Sequence, residues 1–304
     1  MNVLQQLPHG SRAAIIRLRS LGDCVLTTPA VALLKQHRPD LEIGVAVEDR
    51  FATIFEGNPD CSCILDPAWQ AVRGWKPELC LNLHGGSRSQ WMTALSGARW
   101  RAGFAHHSIT LAYNIRIPRA QCVLGVNRTV HTAEHLASAV FALGVPRQTV
   151  PRGKLFADES PVQGRYAVLH PFASGPDKQW PADRFCELAR YLQLWKIRPI
   201  FLAGPSDNAS SFAAHQTFRG TLREAKALLS KACVFIGNDS GPAHMAAAFR
   251  VPSVVLFGNS NPAIWGPWCT ESEIVVAPDG LSHVPVSRVV AALERLRTLE
   301  EAHA

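Results

Sequence analysis

Short apolar runs alternate along the chain with longer segments of helical periodicity. In the first half, the apolar runs predict buried β-strands; they read "AAIIRLR", "EIGVAVE" and "LCLNLHGG". Segments with apolar residues three and four positions apart predict helices between them, such as "LTTPAVALLKQHRP" and "HTAEHLASAVFALGVP". This alternation predicts βαβ units and a parallel sheet.

The same alternation restarts after a polar connection at residues 147–164, which is rich in Pro, Gly and charge. The strand-like runs beyond it are "RYAVLHP", "RPIFLAGP", "CVFIGN" and "VPSVVLFG", and the last helix is "SRVVAALERLRTLEEA". We therefore predict two α/β domains, residues 1–155 and 156–304, facing each other across a cleft, with the terminal helix free to pack back on the first domain.

Composition and charge narrow the class of protein. Of 304 residues, 47% are hydrophobic and 18% charged, which is typical of a globular protein with sizeable cores. The net charge of +7 favours an anionic partner, either nucleotide phosphates, anionic lipid or nucleic acid. The Lys and Arg residues are scattered and no basic–aromatic stripe stands out, which argues against nucleic acid. Without a spanning apolar stretch or a secretory start, we expect a cytoplasmic protein that can touch a membrane surface.

The eight cysteines do not form a metal-binding pattern. Only Cys61 and Cys63 are close in sequence, and no CxxC pair or nearby His completes a zinc set. Most of the others lie in apolar segments, where a thiol behaves as a small hydrophobic group. We expect reduced, structural cysteines and no metal.

The stretch "IGNDSGPAH", residues 236–244, carries the most distinctive chemistry. A strand leads into Asp239, Ser240 and Gly241, and Pro242 suits the first helical position because it lacks an N–H. The N–H groups of Gly241, Ala243 and His244 would then point out of the helix start, where the dipole attracts a diphosphate. An ordinary capped turn, with Asp239 as N-cap and His244 packed inside, explains the residues equally well.

Two further loops follow strands. "FASGPDKQWPADRF" holds Ser174 and Lys178, and Lys178 beside a diphosphate site would neutralise a leaving group. "RLRSLGDCVLTTPA" holds Asp23, which begins either a helix or a short turn before Thr28 and Pro29. Asp23 can accept a proton, or it can simply be a helix N-cap. The motifs GxGxxG, GxxxxGK[ST], DxD and HExxH are missing, so a redox or metal-dependent site is not indicated.

In this order and spacing, four stretches make the chain resemble glycosyltransferase family 9, the heptosyltransferases of lipopolysaccharide assembly. They are "IIRLRSLGDCVLTTPAV", "LNLHGGSRS" with "LSGARWRAGF", "HPFASGPDKQWPADRFCELARYL" and "FIGNDSGPAHMAAAFRVPSVVLFGNSNPAIWGPW". The resemblance implies a GT-B fold with two Rossmann-like domains, the first for the acceptor and the second for a sugar nucleotide. It also implies inverting, metal-independent transfer of heptose from an ADP-sugar to a lipopolysaccharide core acceptor, with no cofactor and with contact at the inner membrane.

The resemblance also assigns site residues by position. Asp23 matches the general base, Lys178 the phosphate-binding lysine, and Ser240, Gly241 and His244 the diphosphate-binding loop, while Glu224 matches a position near the nucleotide ribose only loosely. We expect the donor to be held by Ser174, Lys178, Asp239, Ser240, Gly241, Pro242, Ala243, His244 and Glu224. We expect the acceptor near Ser20, Gly22, His84 and Arg88, although a structural role explains His84 and Arg88 more readily. Glu224 has an alternative role as the far end of a capping box with Thr221.

The chain departs from the family pattern at two places, and two alternative functions stay open. The segment between Gly204 and Gly220 is shorter than the helix and strand usual in the family, on the side expected to hold the base, and Asn82 stands where an acidic residue is commoner. One alternative is a family 9 transferase with another nucleotide-sugar or surface-glycan acceptor. The other is a non-catalytic nucleotide-binding module, which the presence of both Asp23 and Lys178 disfavours.

Overall fold

A computed structural model describes residues 2–302, with the backbone alone for residues 176 and 297–302. The chain divides into two compact units, Met1–Phe156 and Ala157–Ala304, one residue away from the boundary expected from the sequence. Each unit is built on its own six-stranded parallel sheet.

The N-terminal unit has its strands in the order β3-β2-β1-β4-β5-β6. These strands are β1 (Arg12–Ile16), β2 (Glu42–Ala46), β3 (Cys63–Leu65), β4 (Leu79–Asn82), β5 (Trp100–Phe104) and β6 (Ile115–Ile117). The helices are α1 (Leu21–His37), α2 (Asp49–Ala52), α3 (Trp69–Gly74), α4 (Ser87–Leu95), α5 (Ala120–Leu124) and α6 (Thr132–Leu143), with a 3-10 turn at Thr110–Ala112. The two central strands, β1 and β4, are buried nearly throughout, as a sheet covered on both faces requires.

Helix α1 continues through Pro29. The short turn before Thr28 and Pro29, which the sequence left as an alternative, therefore does not form. Proline has no N–H to donate to the carbonyl of Val25, four residues earlier. The hydroxyl of Thr28 donates to that carbonyl instead, at 2.7 Å. The same hydroxyl accepts the N–H of Lys154 at 2.9 Å, which ties the end of this unit to α1.

The C-terminal unit repeats the plan, with strand order β12-β11-β10-β7-β8-β9. Its strands are β7 (Tyr166–His170), β8 (Arg198–Ala203), β9 (Thr217–Arg219), β10 (Val234–Asn238), β11 (Ser253–Phe257) and β12 (Ser272–Val276). Its helices are α7 (Ala182–Leu194), α8 (Leu222–Ser230), α9 (Gly241–Ala248), α10 (Pro262–Trp265) and α11 (Val286–Ala302). Counted from the first strand of each unit, both sheets have the order 3-2-1-4-5-6 of a nucleotide-binding α/β fold.

The terminal helix α11 packs within its own unit. Val289, Ala292, Leu293 and Leu296 join the core formed with β10, β11 and α7. The apolar side chains of α11 up to Leu296 are therefore used in the core of its own unit. Packing of the terminal helix on the N-terminal domain, which the sequence left as an option, stays untested.

The short segment between Gly204 and Gly220 forms little regular structure. It contains a 3-10 turn at Ser210–Phe212 and the three-residue strand β9. The ring of Phe212 stacks on Phe201 of β8, with centroids 4.5 Å apart, so the segment closes the core without a full helix.

Candidate active site

Asp23 lies in the first turn of α1, beyond the carboxyl end of β1. Its Oδ2 accepts hydrogen bonds from the Ser20 hydroxyl at 3.1 Å and from the Ser20 N–H at 3.5 Å. A carboxylate in the first turn also interacts favourably with the helix dipole. Asp23 therefore caps α1 as the third residue of a capping box, not as the N-cap residue, which is Ser20; Ser20, expected near the acceptor, contacts Asp23 directly.

Arg17 faces the other oxygen of Asp23. Its Nη1 lies 3.6 Å from Oδ1, and the arginine side chain is only 7% exposed. Its Nη2 donates to the carbonyl of Leu83 at the end of β4. Burial lowers the pKa of the guanidinium, and the charge of Asp23 acts in the opposite direction. Because a buried cation needs a counter-charge, the pairing with Arg17 fixes the position of the Asp23 side chain.

Asn82 fixes the loop that carries His84. Its Oδ1 accepts the N–H groups of His84 and Gly85 at 2.9 and 3.0 Å. Its Nδ2 lies within 3.1 Å of three hydroxyls, those of Ser89, Thr93 and Tyr113. An aspartate could not donate to these hydroxyls, which is a physical reason for the amide at this position.

His84 itself lies close to the charged pair. Burial lowers its pKa, the charge of Arg17 lowers it further, and Asp23 acts in the opposite direction. Its Nδ1 is buried and has no hydrogen-bond partner within the part of the chain that the structure describes. The structure therefore brings His84, Arg17 and Asp23 together at one edge of the sheet.

Three more histidines surround Phe104 at the end of β5. The rings of Phe104 and His135 stack with centroids 4.1 Å apart, and His106 and His107 lie within 5.8 Å of Phe104. Burial is the main cause that lowers the pKa values of His107 and His135 to about 4, with the neighbouring His106 adding to it. Gly85 has a φ of +81°, and a Cβ there would collide with the His107 ring. The rings of His107 and His135 are therefore neutral near pH 7.

The other two residues expected to face the acceptor are Gly22 and Arg88. Gly22 is buried in the first turn of α1. Arg88, on α4, donates to the carbonyl of Pro67 and lies 4.0 Å from Glu48, with 59% of its side chain exposed. The structure thus places Arg88 on an exposed helix face.

In the C-terminal unit, Lys178 lies in a 3-10 turn between β7 and α7, and its N–H donates to the carbonyl of Gly175 at 3.1 Å. Asn238, the last residue of β10, makes two hydrogen bonds to the segment that carries Lys178. Its Oδ1 accepts the Trp180 N–H at 3.1 Å, and its Nδ2 donates to the Pro171 carbonyl at 2.8 Å. Asn238 therefore couples the Lys178 loop to the "NDSGPAH" loop.

Asp239 and Ser240 continue directly from Asn238. Burial raises the pKa of Asp239, while a hydrogen bond from Ser260 and the charge of Lys178 lower it. The Ser240 hydroxyl lies 3.1 Å from Nδ1 of His170, the last residue of β7. Burial lowers the pKa of His170 to about 4, so its ring is neutral near pH 7. The structure thus brings Lys178, Asp239, Ser240 and His170 together.

The start of α9 differs in detail from the expectation. Ser240 is the N-cap residue and Pro242 lies in the first turn, but the N–H of Ala243 donates to the Ser240 carbonyl at 3.1 Å. That N–H belongs to a tight first turn, so it does not point freely outward as expected. The side chain of His244 is 5% exposed and packs inside, which is the alternative that the sequence left open.

Two donor-side candidates remain, Ser174 in a loop and Glu224 in the first turn of α8. Ser174 is exposed between β7 and the turn of Lys178. Glu224 forms the capping box that was its alternative role, since its Oε2 accepts the Thr221 N–H and hydroxyl at 2.7 and 2.8 Å. A contact of either residue with a nucleotide stays a prediction.

Four residues of the candidate site were not predicted from the sequence; they are Arg17, His107, His135 and His170. Arg17 and His170 share a signal that could have found them, because each is a polar residue at the end of an apolar strand run. His107 and His135 are brought to the site by β5 and α6, which no local pattern indicates. Among the described residues, no group of three or more His, Cys, Asp or Glu side chains is placed to hold a metal ion. All eight cysteines are free thiols.

The fold compares directly with solved structures. A glycosyltransferase of family 9 from Veillonella parvula superposes with a TM-score of 0.83 at 21% identity, covering 97% of this chain and 98% of that one. Escherichia coli ADP-heptose lps heptosyltransferase II gives a TM-score of 0.79 at 18% identity, covering 95% and 99%. The likeness shows the GT-B fold, with two Rossmann-like units and polar loops beyond the carboxyl ends of their strands.

The chain belongs to glycosyltransferase family 9 (heptosyltransferase), whose family model matches residues 67–285. Lipopolysaccharide heptosyltransferase 3 of Escherichia coli K12 is 25% identical, covering 92% of this chain and 96% of that protein. Lipopolysaccharide heptosyltransferase 1 of Pseudomonas aeruginosa is 26% identical, covering 84% and 81%. The family resemblance and the GT-B fold expected from the sequence are both confirmed.

Proposed function

We propose that this protein transfers a heptose from an ADP-heptose to a lipopolysaccharide core acceptor, with inversion and without a metal ion. Two kinds of relative support this choice of donor and acceptor. The curated relatives are named as lipopolysaccharide heptosyltransferases, and a solved heptosyltransferase WaaC of Escherichia coli carries ADP in one structure and ADP-2-deoxy-2-fluoro heptose in another.

The single observation that carries the proposal is the environment of Asp23. Ser20 binds one carboxylate oxygen, and Arg17 stands 3.6 Å from the other, beyond the usual length of a direct hydrogen bond. The carboxylate is therefore oriented while lone pairs remain for an acceptor hydroxyl. As that hydroxyl oxygen bonds to C1 of the heptose, Asp23 takes its proton.

On the donor side, the bond between C1 and the β-phosphate oxygen breaks, and ADP leaves with the electron pair. Lys178 lies near Asp239 and Ser240, where a diphosphate at the start of α9 would sit. Its ammonium group would stabilise the charge that develops on ADP. Displacement at C1 in one step inverts the configuration of that carbon.

The proposed reaction uses no cofactor. Lys178 and the start of α9 would stabilise the charge on ADP in place of a metal ion. The proposal predicts that ADP raises the melting temperature of the protein and that EDTA leaves this shift unchanged. Loss of the shift in EDTA, with recovery on adding Mg²⁺, would contradict metal-independent binding.

The decisive experiment is a transfer assay. The purified protein is incubated with ADP-heptose and a core acceptor that lacks the heptose, and ADP release is followed together with the product. The configuration of the new linkage is measured by the NMR coupling constant at C1. A product with retained configuration, or ADP release without transfer, would contradict the proposal.

A second candidate is transfer from another nucleotide-sugar, or to another surface glycan. The observation in its favour is the segment 204–220, where a 3-10 turn and a three-residue strand stand in place of a longer helix and strand. Parallel assays with UDP-, GDP- and CMP-sugars separate the two candidates. Turnover with one of these and none with ADP-heptose would select the second.

The acceptor of the proposed reaction is a membrane lipid, so we place the protein at the cytoplasmic face of the inner membrane. No helix in the described part of the chain is long and apolar enough to cross a bilayer. The proposed contact is therefore peripheral.

A further inference from the structure

Nearly all of the net charge of this protein comes from one segment. Between Glu78 and Glu134 the sequence has no Asp and no Glu, and its six charged residues are all arginines: Arg88, Arg99, Arg101, Arg116, Arg119 and Arg128. This segment contributes +6 of the formal net charge of +7, which leaves +1 for the rest of the chain. The basic residues look scattered along the sequence, but the absence of acidic residues around them concentrates the charge.

Helix α4 lies within this segment, and its solvent-exposed side carries both basic and apolar side chains. Arg88, Trp91 and Leu95 are spaced three and four residues apart, so they line one side of the helix. Trp91 is 57% exposed and Leu95 is 40% exposed. The opposite side, with Ser89, Met92 and Thr93, is buried against the sheet.

A second exposed apolar residue is held beside α4 by the protein itself. Gln90 accepts the Ile109 N–H at 2.5 Å and lies 3.3 Å from the Ser108 hydroxyl, so the segment leading to the 3-10 turn 110–112 is tied to the helix. Leu111 in that turn is 92% exposed. A leucine held almost wholly in water on an anchored turn contributes nothing to folding.

Further arginines surround these side chains. Arg73 reaches the carbonyl of Leu95 at 3.5 Å, and Arg101 donates to the carbonyl of Ala112 at 3.2 Å. Arg116 pairs in register with Gly103 on the adjacent strand and is exposed. We call this set the α4 surface; it comprises Arg73, Arg88, Trp91, Leu95, Leu111 and Arg116.

We infer that the α4 surface docks on a bilayer of anionic phospholipid; the inference rests on the proposed function in taking the acceptor to be a membrane lipid. Trp91 suits the interface between headgroups and acyl chains, because its ring is apolar and its N–H is polar. Leu95 and Leu111 enter the outer acyl region, and the arginines bind lipid phosphates, each strengthening binding about fivefold.

Two other occupants fit the α4 surface less well. A second copy of this chain related by a two-fold axis would bring the same arginines face to face, and the segment between Glu78 and Glu134 supplies no carboxylate to pair with them. Nucleic acid would satisfy the arginines but would leave the exposed Leu111 without a partner. An anionic bilayer meets both the charge and the apolar side chains.

Docking here also suits the acceptor side of the site. Helix α4 starts one residue after the loop of His84, Gly85 and Gly86, and that loop lies beside Arg17 and Asp23. The nine residues of α4 span about 13 Å. The α4 surface therefore lies on the same unit as Asp23, one short helix away from it.

The test is sedimentation of the whole protein with vesicles that contain no lipopolysaccharide. Vesicles with phosphatidylglycerol should bind it, vesicles of phosphatidylcholine alone should bind at least tenfold more weakly, and salt should weaken the binding. The double variant Trp91→Ser/Leu111→Ser and the variant Arg116→Gln should each lower the partition coefficient, by about tenfold or more and about fivefold respectively.

Matched controls come from the other unit, where Leu194 is 78% exposed and Arg190 is also exposed. Leu194→Ser and Arg190→Gln should leave vesicle binding unchanged. Equal binding to neutral vesicles, or equal loss in the Leu194→Ser control, would overturn the inference. So would a shift of the double variant from dimer to monomer in light scattering without any change in vesicle binding.

Failure of this inference is distinguishable from failure of the proposed function. The vesicle assay contains no sugar nucleotide, and transfer can be measured separately with a delipidated, soluble acceptor. The double variant should keep wild-type turnover on that acceptor and lose turnover on the same acceptor embedded in vesicles. Loss on both acceptors by a folded double variant would place Trp91 or Leu111 in the site and refute the docking role.

Discussion

Replacing Asp23 by asparagine tests the proposed general base with little change of shape. The amide oxygen can still accept the Ser20 hydrogen bonds, now 3.1 and 3.5 Å long, but it cannot take a proton. We expect kcat to fall by roughly 10²–10⁴, the usual contribution of general base catalysis. ADP binding should hardly change, because the donor loops belong to the C-terminal unit.

The same substitution should also lower stability, and the structure gives the size of the effect. Arg17 is 7% exposed, and Asp23 is the acidic group that the structure places beside it. Removing that charge leaves a buried guanidinium poorly compensated, which costs about 1–3 kcal/mol of the free energy of unfolding. Asp23→Ala should lose a further 0.5–2 kcal/mol or so, because it also removes the capping hydrogen bonds.

Glu134 offers a matched control in the same unit. It is also the third residue of a helix with a capping box, and it pairs with Arg128 at 2.6 Å. Arg128 is 53% exposed, so Glu134→Gln should cost less stability than Asp23→Asn. Turnover of Glu134→Gln per folded molecule should match the wild type.

The assay therefore measures kcat per folded molecule, with the folded fraction taken from thermal melts at the assay temperature. If Asp23 is only a capping residue, Asp23→Asn and Glu134→Gln will both lower the melting temperature and both keep wild-type kcat. An active, folded Asp23→Asn enzyme would refute the mechanism proposed here.

Three further predictions concern the C-terminal unit and acid stability. Lys178→Ala should weaken ADP binding and lower kcat by roughly 10²-fold, measured by calorimetry and initial rates, whereas Lys231→Ala on the surface should change neither. Asn238→Ala should lower the free energy of unfolding by about 2–4 kcal/mol, measured by urea denaturation, and should raise the KM for the donor, because the Trp180 N–H and the Pro171 carbonyl both lose their partner. His107 and His170 have pKa values of about 4 in the folded protein, below the ordinary 6.5, so the unfolded chain binds more protons between these values. Stability should be full above pH 6.5 and should fall toward pH 4, by roughly 3 kcal/mol for the buried His170; melts that are flat across this range would contradict the burial of these rings.

The sequence by itself determined the class of fold. Apolar runs such as "AAIIRLR" and "CVFIGN" can be satisfied only as strands buried on both faces, and the helical segments between them force the strands to run parallel. The order of the four family motifs identified the family that the chain belongs to. These features are local or sequential, so no three-dimensional information was needed.

Details that depend on hydrogen bonds could be resolved only in the structure. The sequence left a short turn before Thr28 and Pro29 as an alternative to a helix, but the Thr28 hydroxyl replaces the missing donor and α1 continues. The N–H of Ala243 was expected to face a ligand, but the first turn of α9 uses it. Which acceptor a donor finds depends on backbone angles that residue types do not fix.

The composition of the candidate site was decided by tertiary structure. From the sequence, Asp23 could be a base or a cap, and only the fold places Arg17 and His84 beside it, from the ends of β1 and β4. His107 and His135 come from β5 and α6, and His170 meets Ser240 across 70 residues of chain. A parallel sheet gathers the carboxyl ends of distant strands at one edge, so residues far apart in sequence share one site, and the partners and pKa values of these side chains exist only after the sheet has formed.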